Sequence, residues 1–216
     1  MYISDNIIRN RLKNVYFIWG RGKTTVSNRL RDKYSFYVYR TDDGRDRLRK
    51  AADPLYQPYM CYDFEKEYNV KDFWALPRKV IDEREKHFLA EMTPMIFIDL
   101  MILSETHNVI ICEGDIDYKA VIPVAAHTVH LCNRGTKFDF FNRPDHESLD
   151  TIKERTDLSE TEKESIIQNA YSSVGGNEGI IPEWVIKNGV KNIMWDDSTS
   201  IEQTVSEVEE YFEFRL

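Results

Sequence analysis

The apolar run Val15-Tyr16-Phe17-Ile18 leads into Gly20-Arg21-Gly22-Lys23-Thr24-Thr25, and that into an amphipathic stretch from Val26 to Tyr34. Strand, glycine turn, Gly-Lys-Thr, helix is the order of a phosphate-binding loop. In such a loop, backbone N–H groups and the helix N-terminus hold phosphate oxygens. The lysine adds a movable charge at the β/γ-phosphates, and the first hydroxyl after it can ligate Mg2+. Gly20, Arg21, Gly22, Lys23, Thr24 and Thr25 are therefore the candidate nucleotide-binding residues, with ATP and Mg2+ as the expected cofactors. The match has one defect. The full pattern sets four residues between its two glycines. Here Arg21 alone separates Gly20 from Gly22, and Phe17 stands where the first glycine belongs, so the loop is three residues short. Either the sequence lacks three loop residues of the molecule, or the turn is shortened and its phosphate grip altered.

The rest of the chain alternates strand and helix patterns. Residues 14–18 read as the first strand and 23–33 as the helix behind the loop. Ser35 to Tyr39 reads as a second strand ending at Arg40-Thr41-Asp42-Asp43-Gly44, a turn-like string. Residues 45–75 are mixed, with Pro54 and Pro58, and read as irregular structure or short helices. A charged helix runs from Pro77 to about Met92. Thr93-Pro94 then predicts a new helix, with Thr93 as N-cap and Pro94 at the first position, running to about Glu105. Asn108 to Cys112 is a third strand, apolar on both faces as a buried parallel strand is, and Thr128 to Cys132 is a fourth. Ser159 and Glu162 predict a capping box opening a helix to about Ser173, before a flexible break at 175–179. Asn192 to Trp195 is a fifth strand. Thr199 and Glu202 form a second predicted capping box, and Ile201, Val205, Val208 and Phe212 give the last helix one apolar face. Such alternation implies a parallel sheet with ligands at the carboxyl ends of its strands.

Nearly every polar cluster of interest follows a strand. Asp42 and Asp43 follow the second; phosphoryl transfer to a hydroxyl needs a carboxylate to orient or deprotonate the acceptor. Both are candidate catalytic residues, Asp42 ahead of Asp43, although Asp-Asp-Gly also suits a plain turn. Glu113-Gly114-Asp115 closes the third strand, where a Mg2+-directing acid would stand. Thr24, Glu113 and Asp115 are thus the candidate metal ligands. Arg134, Arg143 and Arg155 follow the fourth strand, and a guanidinium suits the charge spreading over a transferred phosphoryl group. Arg40, Arg45, Arg47 and Arg49 read as a solvated face sooner than an acceptor site. Thr199 is expected to be structural, and Trp19 either stacks on a ligand or packs. The aromatic residues Tyr56, Tyr59, Tyr62, Phe64, Phe73 and Trp74 read as core before acceptor pocket.

On Val15–Thr25, Tyr39–Asp43, Val109–Asp115 and Ile193–Thr199 the chain resembles the P-loop kinase superfamily. The likeness is to the branch of nucleoside monophosphate kinases, shikimate kinase and chloramphenicol phosphotransferase. The resemblance implies a three-layer α/β P-loop NTPase fold. Its sheet would have five parallel strands in the order 2-3-1-4-5, with helices on both faces and a small lid, here at about 134–180. It also implies phosphate and Mg2+ roles for Gly22, Lys23 and Thr24, an acceptor-side carboxylate at Asp42 or Asp43, and lid arginines at Arg134 and Arg143. The short loop departs from the pattern.

A chain of 216 residues with 42% hydrophobic side chains can fill one large core. Its net charge of −8 argues against nonspecific nucleic-acid binding. No apolar run approaches a membrane span, and the first residues lack a signal-peptide pattern. Cys61, Cys112 and Cys132 have no CxxC pairing and read as reduced thiols of a cytoplasmic protein. The expectation is an ATP-dependent kinase for a small-molecule acceptor. A non-catalytic nucleotide-binding module with a degraded loop is the alternative. A GTPase is disfavoured because no Asn-Lys-x-Asp string is present to read guanine.

Overall fold

The computed structural model describes residues 4–61, 76–134, 150–174 and 180–214. Strand β1 (Val15–Gly20) lies at the centre, with Val15, Phe17, Ile18 and Trp19 buried. It pairs in parallel with β3 (Ile110–Glu113) on one side and β4 (His127–Asn133) on the other. The edge strands β2 (Tyr37–Arg40) and β5 (Lys191–Trp195) complete a five-stranded parallel sheet, ordered β2-β3-β1-β4-β5. The expected α/β fold and strand order are the ones found.

Two apolar layers sandwich the sheet. Helices α2 (Lys23–Tyr34) and α10 (Ile201–Phe212) cover one face, where Ile18, Val26, Leu30, Leu131, Val205 and Val208 pack together. The other face is covered chiefly by α5 (Arg78–Leu103), which lays Met92, Ile96 and Leu100 against Phe17, Ile110 and Cys112. The shorter helices α1 (Asp5–Arg11), α3 (Thr41–Ala51), α4 (Pro58–Cys61), α6 (Tyr118–Val121) and α9 (Glu183–Lys187) surround these layers. In the region after β4, α7 (Asp150–Lys153) and α8 (Glu160–Val174) are described. The remainder of the expected lid, Arg143 and the glycine-rich break at 175–179 lie outside the described residues.

Three local expectations need correction. The Thr93-Pro94 break does not occur, because α5 runs through it as one helix of 26 residues. Thr93 is fully buried, and its hydroxyl donates to Leu89 O at 2.7 Å and accepts from the Asp117 N–H at 3.0 Å. The continuous apolar face of Met92, Ile96 and Leu100 outweighs one helix bond lost at proline. Secondly, Asp42-Asp43-Gly44 is no turn but the opening of α3, where both carboxylates favour the positive end of the helix. Thirdly, the cap of α10 is Ser200 with Gln203, not Thr199 with Glu202. The Thr199 hydroxyl is already used, donating to Asp196 Oδ1 at 3.2 Å. The capping box at Ser159 and Glu162 is present: the Ser159 N–H donates to Glu162 Oε2 at 2.8 Å. Of the aromatic group expected as core, Tyr56 and Tyr59 are exposed, and the other four lie outside the described residues. Trp19 packs, its ring edge-on to Trp184 at 5.3 Å.

Candidate nucleotide-binding site

The loop between β1 and α2 is a short, braced turn. At Gly20 (φ +86°) a Cβ would stand 2.0 Å from Leu131 O, so no other residue fits between β1 and β4 there. The Arg21 N–H donates to Leu131 O at 3.0 Å, which ties the turn to β4. The Trp195 indole N–H, from the end of β5, donates to Arg21 O at 3.0 Å, and the indole lies against Gly22. Gly22 is the N-cap of α2 and has no side chain to cap it. Lys23, Thr24 and Thr25 supply the first-turn N–H groups, which leaves this helix end suited to an anion. The shortening changes the grip: the Arg21 amide, committed to Leu131 O, is withdrawn from any phosphate.

Glu113 ends β3 beside this turn. Its side chain is only 3% exposed, with Oε1 3.2 Å from Arg40 Nε. Its Oε2 accepts from the Thr24 hydroxyl at 3.3 Å. Burial pushes the Glu113 carboxyl upward, opposed by the Lys23 charge, the Thr24 hydrogen bond and Arg40. Arg40 reaches Glu113 because β2 and β3 pair with these two residues opposite each other. Its guanidinium also donates to Asn28 Oδ1 at 2.5 Å, and Asn28 lies one helical turn after Thr24 on α2. Sequence reasoning missed Asn28 and placed Arg40 on a solvated face. The available signals were the i, i+4 spacing from Thr24 and the position of Arg40 at a strand end.

Asp42 faces the same crevice from the first turn of α3. Loss of water there, then the Asp115 charge, raises its carboxyl, although its side chain keeps 54% of its surface exposed. Arg45 and Lys23 oppose the rise. Arg45 stands between two carboxylates, its Nε 3.4 Å from Asp42 Oδ1 and its Nη2 3.3 Å from Asp115 Oδ2. Asp115 thus turns toward Arg45, while Glu113 turns toward Thr24. Arg47 is likewise no free surface cation, being ion-paired with Asp99, which also accepts from Tyr39 Oη at 2.6 Å. Asp43 is exposed beside Asp42. Arg134 is exposed just after β4, and its backbone N–H donates to Trp195 O at 2.7 Å, next to the loop brace. Arg143 lies outside the described residues.

No known family profile matches the chain, and none of the curated proteins does. Among solved structures, dephospho-CoA kinase from Campylobacter jejuni is similar over 94% of this chain and 97% of that one, at 11% identity and a TM-score of 0.41. TT1252 from Thermus thermophilus is similar over 94% of this chain and 99% of that one, at 19% identity and a TM-score of 0.47. Likeness at this level carries no activity across. Among the described residues no helix is long and apolar enough to cross a membrane.

Proposed function

We propose that this protein is an ATP- and Mg2+-dependent kinase for a small-molecule acceptor. The observation that supports it best is the meeting of Lys23, Thr24, Glu113 and Arg40 at the carboxyl ends of β1, β2 and β3, beside an uncapped helix N-terminus. The first-turn amides of α2 and Lys23 hold phosphate oxygens. A threonine hydroxyl and a carboxylate at hydrogen-bond distance are hard oxygen donors of the kind Mg2+ takes, with phosphate and water completing its shell. Thr24 and Glu113 would hold it. When bound, the ion neutralises charge on the phosphates. Asp42 orients the acceptor hydroxyl and receives its proton, with Asp43 behind it, and Arg134 and Arg143 are assigned to charge on the transferred group. Asp115, turned to Arg45, belongs on the acceptor side.

A second reading, a nucleotide-binding module without catalysis, is favoured by the Arg21 amide being spent on Leu131 O and by the indole against Gly22. The test is thermal unfolding with and without Mg·ATP on protein whose intact mass matches the sequence, alongside Lys23→Ala. A ligand at 100 times its Kd stabilises by roughly 2.7 kcal/mol. A shift that Lys23→Ala removes, with ADP formed when an acceptor is added, is the expected result. A shift without ADP across an acceptor screen would favour the module. No shift would overturn both readings.

A further inference from the structure

Among the described residues Arg45 has three partners, Asp42, Asp115 and Phe88, and none of them belongs to the loop that opens α2. We propose that Arg45 is a positioning residue that clamps Asp42 against water, so that the kinase does not hydrolyse ATP while the acceptor site is empty. This rests on the kinase reading above. The guanidinium bridges two elements, reaching Asp42 on α3 at 3.4 Å and Asp115 after β3 at 3.3 Å. Its Cζ lies over the Phe88 ring of α5 at 5.5 Å from the centroid. Two carboxylates and an aromatic face hold one planar cation from three elements, an arrangement an arginine fork suits and a lysine does not.

The chemistry follows from what the fork occupies. Hydrolysis would bond a water oxygen to the γ-phosphorus and break the bond from that phosphorus to the bridging oxygen. The electron pair of that bond leaves with ADP, and the proton of the water passes to a carboxylate. A carboxylate whose oxygen faces a guanidinium is a weaker base, because the opposite charge favours its ionised form. Arg45 therefore makes Asp42 a poorer acceptor for that proton than loss of water and Asp115 alone would leave it. Ion pairs at half-exposed side chains are weak, so a ligand able to take the guanidinium releases Asp42 when there is a hydroxyl for it to act on. The clamp is held in register because Thr41, buried at the start of α3, packs directly on Gly114. That contact fixes the residues after each, Asp42 and Asp115, on either side of Arg45.

The experiment is acceptor-free hydrolysis of Mg·ATP by the full chain, with nucleotide binding followed by thermal shift. Wild type, Arg45→Met, Arg45→Lys and the double variant Arg45→Met/Asp42→Asn are compared. Expected is a rise in hydrolysis on the order of ten-fold for Arg45→Met, a part of the about 10²–10⁴ that a positioned base supplies. Arg45→Lys falls between it and wild type, and Asp42→Asn abolishes the gain. A merely structural arginine would lower hydrolysis on removal, not raise it. If Arg45→Met does not fold, Arg45→Gln takes its place and is read in the same way. Hydrolysis no faster than wild type in a variant that still binds Mg·ATP would overturn the clamp and leave the kinase reading standing. A gain that survives Asp42→Asn would also overturn it. Absence of any Mg·ATP shift in wild type would remove the kinase reading and the clamp together.

Discussion

Gly114 is the residue on which the two halves of the crevice bear. Its φ is +121°, and a Cβ built there would stand 2.1 Å from Thr41 Oγ1 and 3.2 Å from Thr41 N. Thr41 cannot swing aside, because it is fully buried at the junction of β2 and α3. Gly114→Ala must therefore push α3 away from β3, and it adds backbone strain to the overpacking. The expected cost is about 2–4 kcal/mol, summing the roughly 1–3 kcal/mol typical of each effect with partial relief. Urea unfolding reads it as a lower midpoint. The same substitution made in a Thr41→Ala background, where the opposing hydroxyl is gone, should cost less, and the difference between the two measures their coupling. Equal costs in both backgrounds would show that Thr41 is not what Gly114 accommodates. Asp42 and Asp115 flank this contact, so Gly114→Ala should also lower Mg·ATP-dependent turnover more than its stability loss alone explains.

Among the elements, α5 shows why some of this molecule was legible in its sequence and some was not. The apolar runs of β1 and β3 announced themselves because a strand buried on both faces needs a short unbroken run. Lys23, Thr24, Asp42 and Glu113 could be placed at strand ends because each lies at or just after the end of a strand. Thr93-Pro94 misled because capping signals are local, whereas the burial of Met92, Ile96 and Phe97 against the sheet is not. The cap of α10 was misplaced by one residue for a related reason: Thr199 and Ser200 are chemically alike, and only the prior use of Thr199 by Asp196 separates them. Arg40 was lost because its partner is set by strand register, with Arg40 opposite Glu113. The hydroxyl of Thr93 gives α5 a testable role. It serves Leu89 O and the Asp117 N–H together, joining α5 to the segment that leaves β3. Thr93→Val keeps the shape and removes both bonds, stranding the Asp117 amide. A loss of about 1–3 kcal/mol is expected in urea unfolding, the sum of two hydrogen bonds at about 0.5–1.5 kcal/mol each. A loss below 0.5 kcal/mol, within what near-neutral substitutions show, would mean the amide finds another partner.

At the scale of the whole molecule, the two sides of the sheet titrate with opposite signs. Glu113 and Asp42, at the crevice, have carboxyls raised chiefly by loss of water. His130 on β4 is lowered by burial, and its ring lies edge-on to Trp184 at 5.8 Å. Its Nδ1 is 2.7 Å from Asn192 Oδ1, so the neutral ring donates there. A histidine lowered in the folded chain binds its proton more readily when unfolded. Between its folded value and the unfolded value near 6.5, stability therefore falls as pH falls. A raised carboxyl acts the other way. The folded chain holds that proton more readily, so its contribution falls as pH rises from the ordinary carboxylate range through the folded value. His130 should govern the window just below neutrality, and its loss of fit is felt at the loop, since its Nε2 faces the place of a Gly20 Cβ at 3.0 Å. Urea midpoints at pH 7.5 and pH 5.5 are predicted to show a loss in wild type of up to about 1.4 kcal/mol for one proton taken up over one pH unit. His130→Gln, which keeps a donor toward Asn192 and cannot charge, should lose clearly less over the same interval. Should both proteins lose the same amount, the acid sensitivity does not come from His130. The next group to replace would then be His127, also lowered by burial and stacked on Tyr16 at 4.2 Å.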